Sequence, residues 1–372
     1  MIAYIPLTLI AIVLLSWCID YINGFHDTAN SIATVVATGV LPGRYAVLMA
    51  AMFNFIGALV GTAVASTIAK GLADPIHIVP AVVIAALLAA IFWDLLTWWY
   101  GIPSSTTHTV LGGLAGAVAV HAGYKALNWA KLREIGAFIV ISPLLGLLVA
   151  GILIIIVLWI VRRMSTQRVN YAFRKLQLLS AAAMAFTHGQ NDAQKAMGVI
   201  CLGLITYGFL DSVPGANVNV PLWVKITCAS FMGMGTAAGG WKIIKTLGHK
   251  IAKLKPIHGF AAETGAAVVL FTTAKLGIPV STTHSISGAI MGVGATMNPK
   301  AVTWGLAGNI FLTWVLTIPV SATIAAILYC ILAWSAPSLC HPPEPRQKTA
   351  ASVAAASFAS HGIQNSSLGR CC

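Results

Sequence analysis

The sequence predicts an all-α polytopic membrane protein built from two inverted-topology repeats, each with transmembrane helices and a re-entrant helical hairpin. Three observations carry this. Of 372 residues, 58% are hydrophobic and only 8% are Asp, Glu, Lys or Arg, against about 25% charged in a soluble domain, and the mean hydropathy is +0.86. Apolar runs recur near 4–22, 45–67, 79–100, 105–122, 135–161, 176–210, 222–240, 258–275, 280–297 and 301–334, many of them close to the ~20 residues that cross a bilayer. Finally, two polar motifs occur twice in the same order. Soluble enzymes, nucleic-acid binders and disordered chains are excluded, despite a net charge of +13. In a membrane protein such an excess marks cytoplasmic loops.

The repeat is read from matching segments. Gly24-Phe25-His26-Asp27-Thr28-Ala29-Asn30 aligns with Gly189-Gln190-Asn191-Asp192-Ala193-Gln194-Lys195, 165 positions on. Gly101-Ile102-Pro103-Ser104-Ser105-Thr106-Thr107-His108 aligns with Gly277-Ile278-Pro279-Val280-Ser281-Thr282-Thr283-His284, 176 positions on, and Gly112 and Gly116 then meet Gly288 and Gly292. The expected organisation is an N-terminal repeat at 1–161, a short basic cytoplasmic linker at 162–175, a C-terminal repeat at 176–334 and a disordered tail at 335–372.

Orientation follows from the basic loops. Arg162, Arg163, Arg168, Arg174 and Lys175 form one, and Lys242, Lys245, Lys250, Lys253 and Lys255 another. Asp211–Pro221, between them, has no Lys or Arg. This places both termini outside, at the cost of leaving Lys125, Lys131 and Arg133 outside too. The uncharged links at Gly-Ile-Pro make 79–122 and 258–297 re-entrant hairpins whose tips meet in the membrane, where non-helical backbone must be buried or line a wet cavity. Tight, fully crossing hairpins are the alternative. Cys18, Cys201, Cys228 and Cys330 lie in apolar runs and act as small hydrophobes. Cys340, Cys371 and Cys372 show no metal spacing. The opening run lacks a basic leader region and is read as mature structure.

The hydroxyl motifs suit an anion. Pro before a helix and Ser or Thr at its N-cap are start signals, and the free N–H groups and dipole there attract negative charge. Ser104, Ser105, Thr106 and Thr107, with Ser281, Thr282 and Thr283, would then grip a small tetrahedral oxyanion from two sides. Ordinary helix capping is the competing account. In the acidic motifs, Asn23, Asp27 and Asn30 share a helical face, and His188, Asp192 and Lys195 hold the equivalent places. A carboxylate in a bilayer costs about 2.5–3.5 kcal/mol on insertion scales, so it marks function; a buried Asp192–Lys195 pair would still leave Asp27 unexplained. Two carboxylates and a dianion carry about four negative charges, and Lys195 offsets one. At an effective dielectric near 20, each like-charge pair at ~4 Å costs roughly 4 kcal/mol. Cations must therefore travel with the anion.

Other residues are open to two accounts. His26, beside Asp27, is a proton carrier or a satisfied structural histidine. His108 and His284 hold the tips by hydrogen bonds or carry protons. Glu263 and Asp94 are further acids in the first arms of the hairpins. Lys275 attracts the anion or pairs with Glu263, and Asp20 sits near a helix end, in solvent.

On Asn23-Gly24-Phe25-His26-Asp27-Thr28-Ala29-Asn30, Thr187-His188-Gly189-Gln190-Asn191-Asp192-Ala193-Gln194-Lys195 and the paired Gly-Ile-Pro and Ser-Thr-Thr-His motifs, the chain closely resembles the inorganic phosphate transporter (PiT) family over about residues 5–334. The resemblance implies ion-driven phosphate uptake at a bacterial inner membrane, with Asp27 and Asp192 at the centre and the hydroxyl motifs and Lys195 on phosphate. Asn23, Asn30, Asn191, His26 and Glu263 would join the aspartates in cation coupling. The Gly-Phe-His-Asp form looks like the bacterial low-affinity type, which takes up neutral divalent metal–phosphate with protons. Sodium-coupled relatives carry Asn where this chain has His26. The family's long hydrophilic insert is here a short basic loop, and Asp94 stands where bacterial relatives often have Asn.

The expected function is therefore phosphate import by cation symport, with H⁺ favoured over Na⁺. Mg²⁺ or another divalent metal would enter with phosphate. No cofactor, dedicated metal site or nucleic acid is expected. The lipid bilayer is a partner, and a monomer and a homodimer are both open. A sodium-coupled phosphate or sulfate permease is the near alternative, and an anion channel the distant one. A hydrolase is disfavoured because Gly-x-Ser-x-Gly and His-Glu-x-x-His are absent.

Overall fold

The computed structural model describes residues 6–71, 77–211 and 217–343. Among them lie twelve α-helices and no strand: α1 (Leu7–Ala37), α2 (Gly43–Ala58), α3 (Ala63–Gly71), α4 (Pro80–Tyr100), α5 (Thr106–Ala122), α6 (Trp129–Val161), α7 (Thr166–Thr206), α8 (Leu222–Ala238), α9 (Trp241–Lys245), α10 (Pro256–Lys275), α11 (Thr282–Met297) and α12 (Trp304–Ser335). Pro42 and Pro221 stand just before α2 and α8, and Pro80 and Pro256 open α4 and α10. At these places the missing N–H costs nothing and the ring pre-sets φ.

Among the described residues, α1, α4, α6, α10 and α12 are each long and apolar enough to cross a membrane, and α2 and α3 together, bent by 69° at their break, pass the same test as a broken span or a re-entrant loop. The chain is a multi-span membrane protein. At 17 and 16 residues, α5 and α11 reach only about 25 Å, short of the ~30 Å hydrocarbon core. They are the second arms of two helical hairpins.

Packing between the halves is reciprocal. Helix α1 lies on α8 as α7 lies on α2, and α5 lies on α12 as α11 lies on α6. Two glycines allow the first of these crossings. A methyl group at Gly24 would sit 2.4 Å from Met232 O, and one at Gly189 would sit 2.1 Å from Asn54 O. Gly112 and Gly116 lie likewise against α12, and Gly288 and Gly292 against α6. The repeated glycines of the sequence thus mark close helix contacts.

Several boundaries differ from the apolar runs. Helix α1 continues past 22 through the whole acidic motif, because those polar side chains are covered by protein. The 45–67 run breaks between α2 and α3, where Gly61 has φ +89. The basic 162–175 segment is mostly helix: α7 starts at Thr166 and runs 41 residues, about 60 Å, leaving Arg162–Ser165 as the connection. Lys242, Lys245 and Lys250 lie on α9 and the π-helical turn after it. Of the tail expected to be disordered, Pro337–Cys340 forms a 3-10 turn against α12 and α4, and residues from 344 onward fall outside the described residues.

Candidate functional site

The two hairpin tips are built alike. Gly101 and Gly277 both adopt φ +67, the left-handed conformation that ends a helix and favours glycine. In the first tip, Gly101 N donates to Trp98 O and Ile102 N to Thr97 O, both at 2.9 Å. In the second, Gly277 N donates to Ala274 O and Ile278 N to Thr273 O, at 3.2 and 3.0 Å. The following proline cannot continue either helix. Each tip is also tied down by a helix pair of the other half. Thr246 donates to Gly101 O at 2.9 Å, and Thr67 donates to Gly277 O at 2.8 Å.

Ser105 and Ser281 are the N-caps of α5 and α11, accepting from His108 N and His284 N at 3.4 and 3.2 Å. Both serines thus cap their helices. The tips meet: Thr107 Oγ1 donates to Val280 O at 3.3 Å, and Trp314 of α12 donates to Pro103 O at 3.0 Å. His108 and His284 do not hold the tips by hydrogen bonds, since none of their ring nitrogens has a partner among the described residues. Their rings pack 5.0 Å apart, and His284 stacks on Trp314 at 4.0 Å.

The second tip closes on both acidic motifs. Thr283 Oγ1 donates to Asp27 Oδ1 at 3.4 Å, and Thr282 Oγ1 donates to Asp192 Oδ2 at 3.2 Å. Asn30 Nδ2 donates to both threonine oxygens, at 3.2 and 3.0 Å. Lys195 Nζ lies 2.9 Å from Asp192 Oδ2. His188 Nε2 is 3.4 Å from the same oxygen, and its Nδ1 lies 3.0 Å from Asn54 Oδ1. Asn54 in turn donates to Thr236 at 2.8 Å. One ligand atom from each of Asp27, His188 and Asp192 falls within 4.8 Å of the others. All of these side chains are buried.

The first tip reaches the acids differently. His26 Nδ1 lies 2.7 Å from Asp27 Oδ1, while Nε2 lies 3.1 Å from Thr97 Oγ1 and 3.3 Å from Ser104 Oγ. Thr97 and Ser104 are 2.8 Å apart. A hydrogen-bonded chain therefore links Asp27 to the start of the first hydroxyl motif. The acceptor oxygens Asn23 Oδ1, Asn30 Oδ1, Asn191 Oδ1 and Asp192 Oδ1 have no hydrogen-bond partner among the described residues. Asn191 is held in that sense by its amide, which donates to Thr187 O and Leu270 O at 2.8 and 3.2 Å. Buried, unpaired oxygens are costly, and oxygen is the ligand that hard cations require.

Three expected residues lie elsewhere. Glu263 is buried in its own cluster, accepting from Thr34 and Ser180 and from Gln177 at 3.2 Å. Lys275 pairs with neither Glu263 nor an anion site: it is exposed, its ammonium 4.4 Å from the Phe271 ring centroid. Asp20 is not in solvent but fully buried. Sequence reasoning did not single out Thr97, Asn54 or Thr236. The signal available was weak, a lone polar residue inside an apolar run, and that pattern is usually only local helix back-bonding.

Long apolar helices here converge on buried carboxylates, an ammonium and hydroxyls, an arrangement that fits a membrane transport protein. The phosphate transporter family, PHO4, matches residues 23–325. A Bacillus subtilis (strain 168) protein described as "Probable low-affinity inorganic phosphate transporter" is 47% identical over 325 residues, which is 87% of this chain and 96% of that protein. A Rhizobium meliloti (strain 1021) protein of the same description is 47% identical over 322 residues, 86% and 95% of the two chains. A solved structure titled "The sodium-dependent phosphate transporter" superposes with a TM-score of 0.79 at 26% identity, covering 88% of this chain and 99% of its own. The chain belongs to the phosphate transporter family.

Proposed function

We propose that this protein imports inorganic phosphate across a bacterial inner membrane by proton symport, carrying it alone or as a neutral divalent metal complex. The observation that supports this best is the closure of the Thr282–Thr283 tip on Asp27 and Asp192. A dianion bound by those hydroxyls would lie beside two carboxylates with one ammonium to offset them. Protons or a metal must supply the remaining positive charge. Asp27, His188 and Asp192 offer one oxygen, one nitrogen and one oxygen to a metal arriving as cargo, a set that suits several divalent ions.

In this reading, Thr282, Thr283, Lys195 and the hydroxyl of Thr106 bind phosphate, with Ser104, Ser105, Thr107 and Ser281 shaping the tips. Asp27, Asp192, Asn23, Asn30 and Asn191 hold the coupling cation, and His26 passes protons between Asp27 and Ser104. Glu263 serves coupling from its own cluster, through helices it shares with the aspartates' motifs: Thr34 is on α1 and Ser180 on α7. The halves are inverted repeats with both termini outside, and transport alternates by rocking the hairpins about a fixed mid-membrane site.

The test is labelled-phosphate uptake into proteoliposomes under an imposed pH gradient, without sodium, with and without Mg²⁺. Uptake that follows the gradient and disappears in Asp27→Asn and Asp192→Asn supports the reading. Full uptake by either variant removes its core. Dependence on sodium, or competition by excess sulfate, would favour the near alternatives, and current without a driving cation would favour a channel.

A further inference from the structure

Asp20 has no part in the site described above. It lies on α1, seven residues before Asp27, and is fully buried. Its counterpart in the second half is Ala185, so the repeat does not require an acid there. No nitrogen or oxygen donor meets its carboxyl among the described residues, and its one side-chain partner is the weakly donating thiol of Cys228. The Cys228 thiol reaches it from α8, and the charges of Lys195 and Asp192 on α7 act on it through their field. One turn along the same faces, Asn23 Nδ2 lies 3.9 Å from Met232 Sδ of α8.

A carboxylate ion in such surroundings is costly, and the neutral acid costs far less. Sodium or magnesium would need several oxygens around it, and α8 presents a thiol and a thioether. The cation that fits Asp20 is a proton. Lys195 lies in the field of both Asp20 and Asp192 and is bonded to Asp192. Its ammonium already acts on Asp20 from its place beside Asp192, so a movement of that ammonium changes the charge that Asp20 meets.

We propose that Asp20 is a proton-carrying site of the transport cycle, loaded in the conformation described and unloaded to water when Lys195 turns from Asp192 towards it. The O–H bond of the acid breaks, the proton leaves on a water molecule, and the carboxylate pairs with the ammonium. This rests on the reading that the chain moves phosphate with protons.

The experiment compares wild type with Asp20→Asn in proteoliposomes. One arm measures exchange of labelled for unlabelled phosphate at equal concentrations and pH. The other measures net uptake driven by a pH gradient. Exchange needs no release of the proton, so D20N retains it while net uptake is lost, and Asp20→Glu, which restores an ionisable group, recovers net uptake. Should D20N fail to fold, Asp20→Ser is read in the same way. Net uptake at the wild-type rate in a neutral variant overturns the proposal, as does parallel loss of both activities in a protein with wild-type thermal stability. Wild-type uptake driven by sodium alone sinks both the proposal and the reading beneath it, whereas a normal wild type with an indifferent D20N sinks only the proposal.

Discussion

Lys195 Nζ lies 2.9 Å from Asp192 Oδ2, three residues along one helix, with both side chains buried. Opposite Asp27 the equivalent position is Asn30, which turns its amide to Thr282 and Thr283 instead. The two acidic motifs are thus alike in backbone and unlike in charge. Breaking a buried pair by removing one partner costs about 3–5 kcal/mol, because a bare charge is left behind. Lys195→Gln should therefore lower the thermal unfolding temperature in detergent. The double variant Asp192→Asn with Lys195→Gln should recover most of that stability but no transport. A single variant as stable as wild type would show that water already reaches the pair.

The threonine tip separates positioning from capping. Thr282 and Thr283 bond to the acids, while Ser281 caps α11. Hydrogen bonds to charged groups contribute about 1.5–3 kcal/mol, so Thr283→Ala should raise the KM for phosphate by roughly ten- to a hundredfold. Thr283→Ser, which keeps the hydroxyl, should stay near wild type. Ser281→Ala should act instead on stability, by about 1 kcal/mol. Uptake kinetics and a melting curve on the same preparations distinguish the two effects.

The fold was legible where one physical cause leaves one pattern. Gly-Ile-Pro twice over predicts two helix ends followed by a break, because glycine takes φ +67 without strain and proline cannot continue the helix. Boundaries were less legible. The apolar run that stops at residue 22 does not end α1, since the polar side chains between Asn23 and Asn30 are covered by protein, including α4, α8 and α11. The partners of the acids were legible only in part. Thr282 and Thr283 announce themselves by repetition, whereas Thr97 and Asn54 are single polar residues that matter through what the fold lays against them. His108 and His284 misled for a related reason: an imidazole in a polar motif suggests hydrogen bonding, but here aromatic neighbours take both rings.

His26 gives a pH prediction. Its two ring nitrogens connect Asp27 to Thr97 and Ser104, and Asn cannot relay a proton through its amide in the same way. In His26→Asn the rise of uptake with falling external pH should flatten, while binding of phosphate is retained. Initial uptake rates across external pH at fixed internal pH check this, and an unchanged profile would remove His26 from the proton path.

The glycine crossing tests the duplication itself. Gly189 faces Asn54 O where a methyl group would come within 2.1 Å, and Gly24 faces Met232 O at 2.4 Å. These neighbours are backbone and cannot swing away, so the helices must part. Overpacking of this kind typically costs about 1–3 kcal/mol, and parting α2 from α7 also moves Asn54 away from His188. Gly189→Ala and Gly24→Ala should therefore both lower stability and uptake. Gly136→Ala on α6 is the control, because a methyl group there meets nothing within 4 Å. In a helix that substitution gains up to about 1 kcal/mol from propensity alone. Melting temperatures that fall for both crossing variants and hold or rise for the control support the reciprocal packing of α1 on α8 and α7 on α2. Equal tolerance at all three positions would mean that the halves are not held this closely.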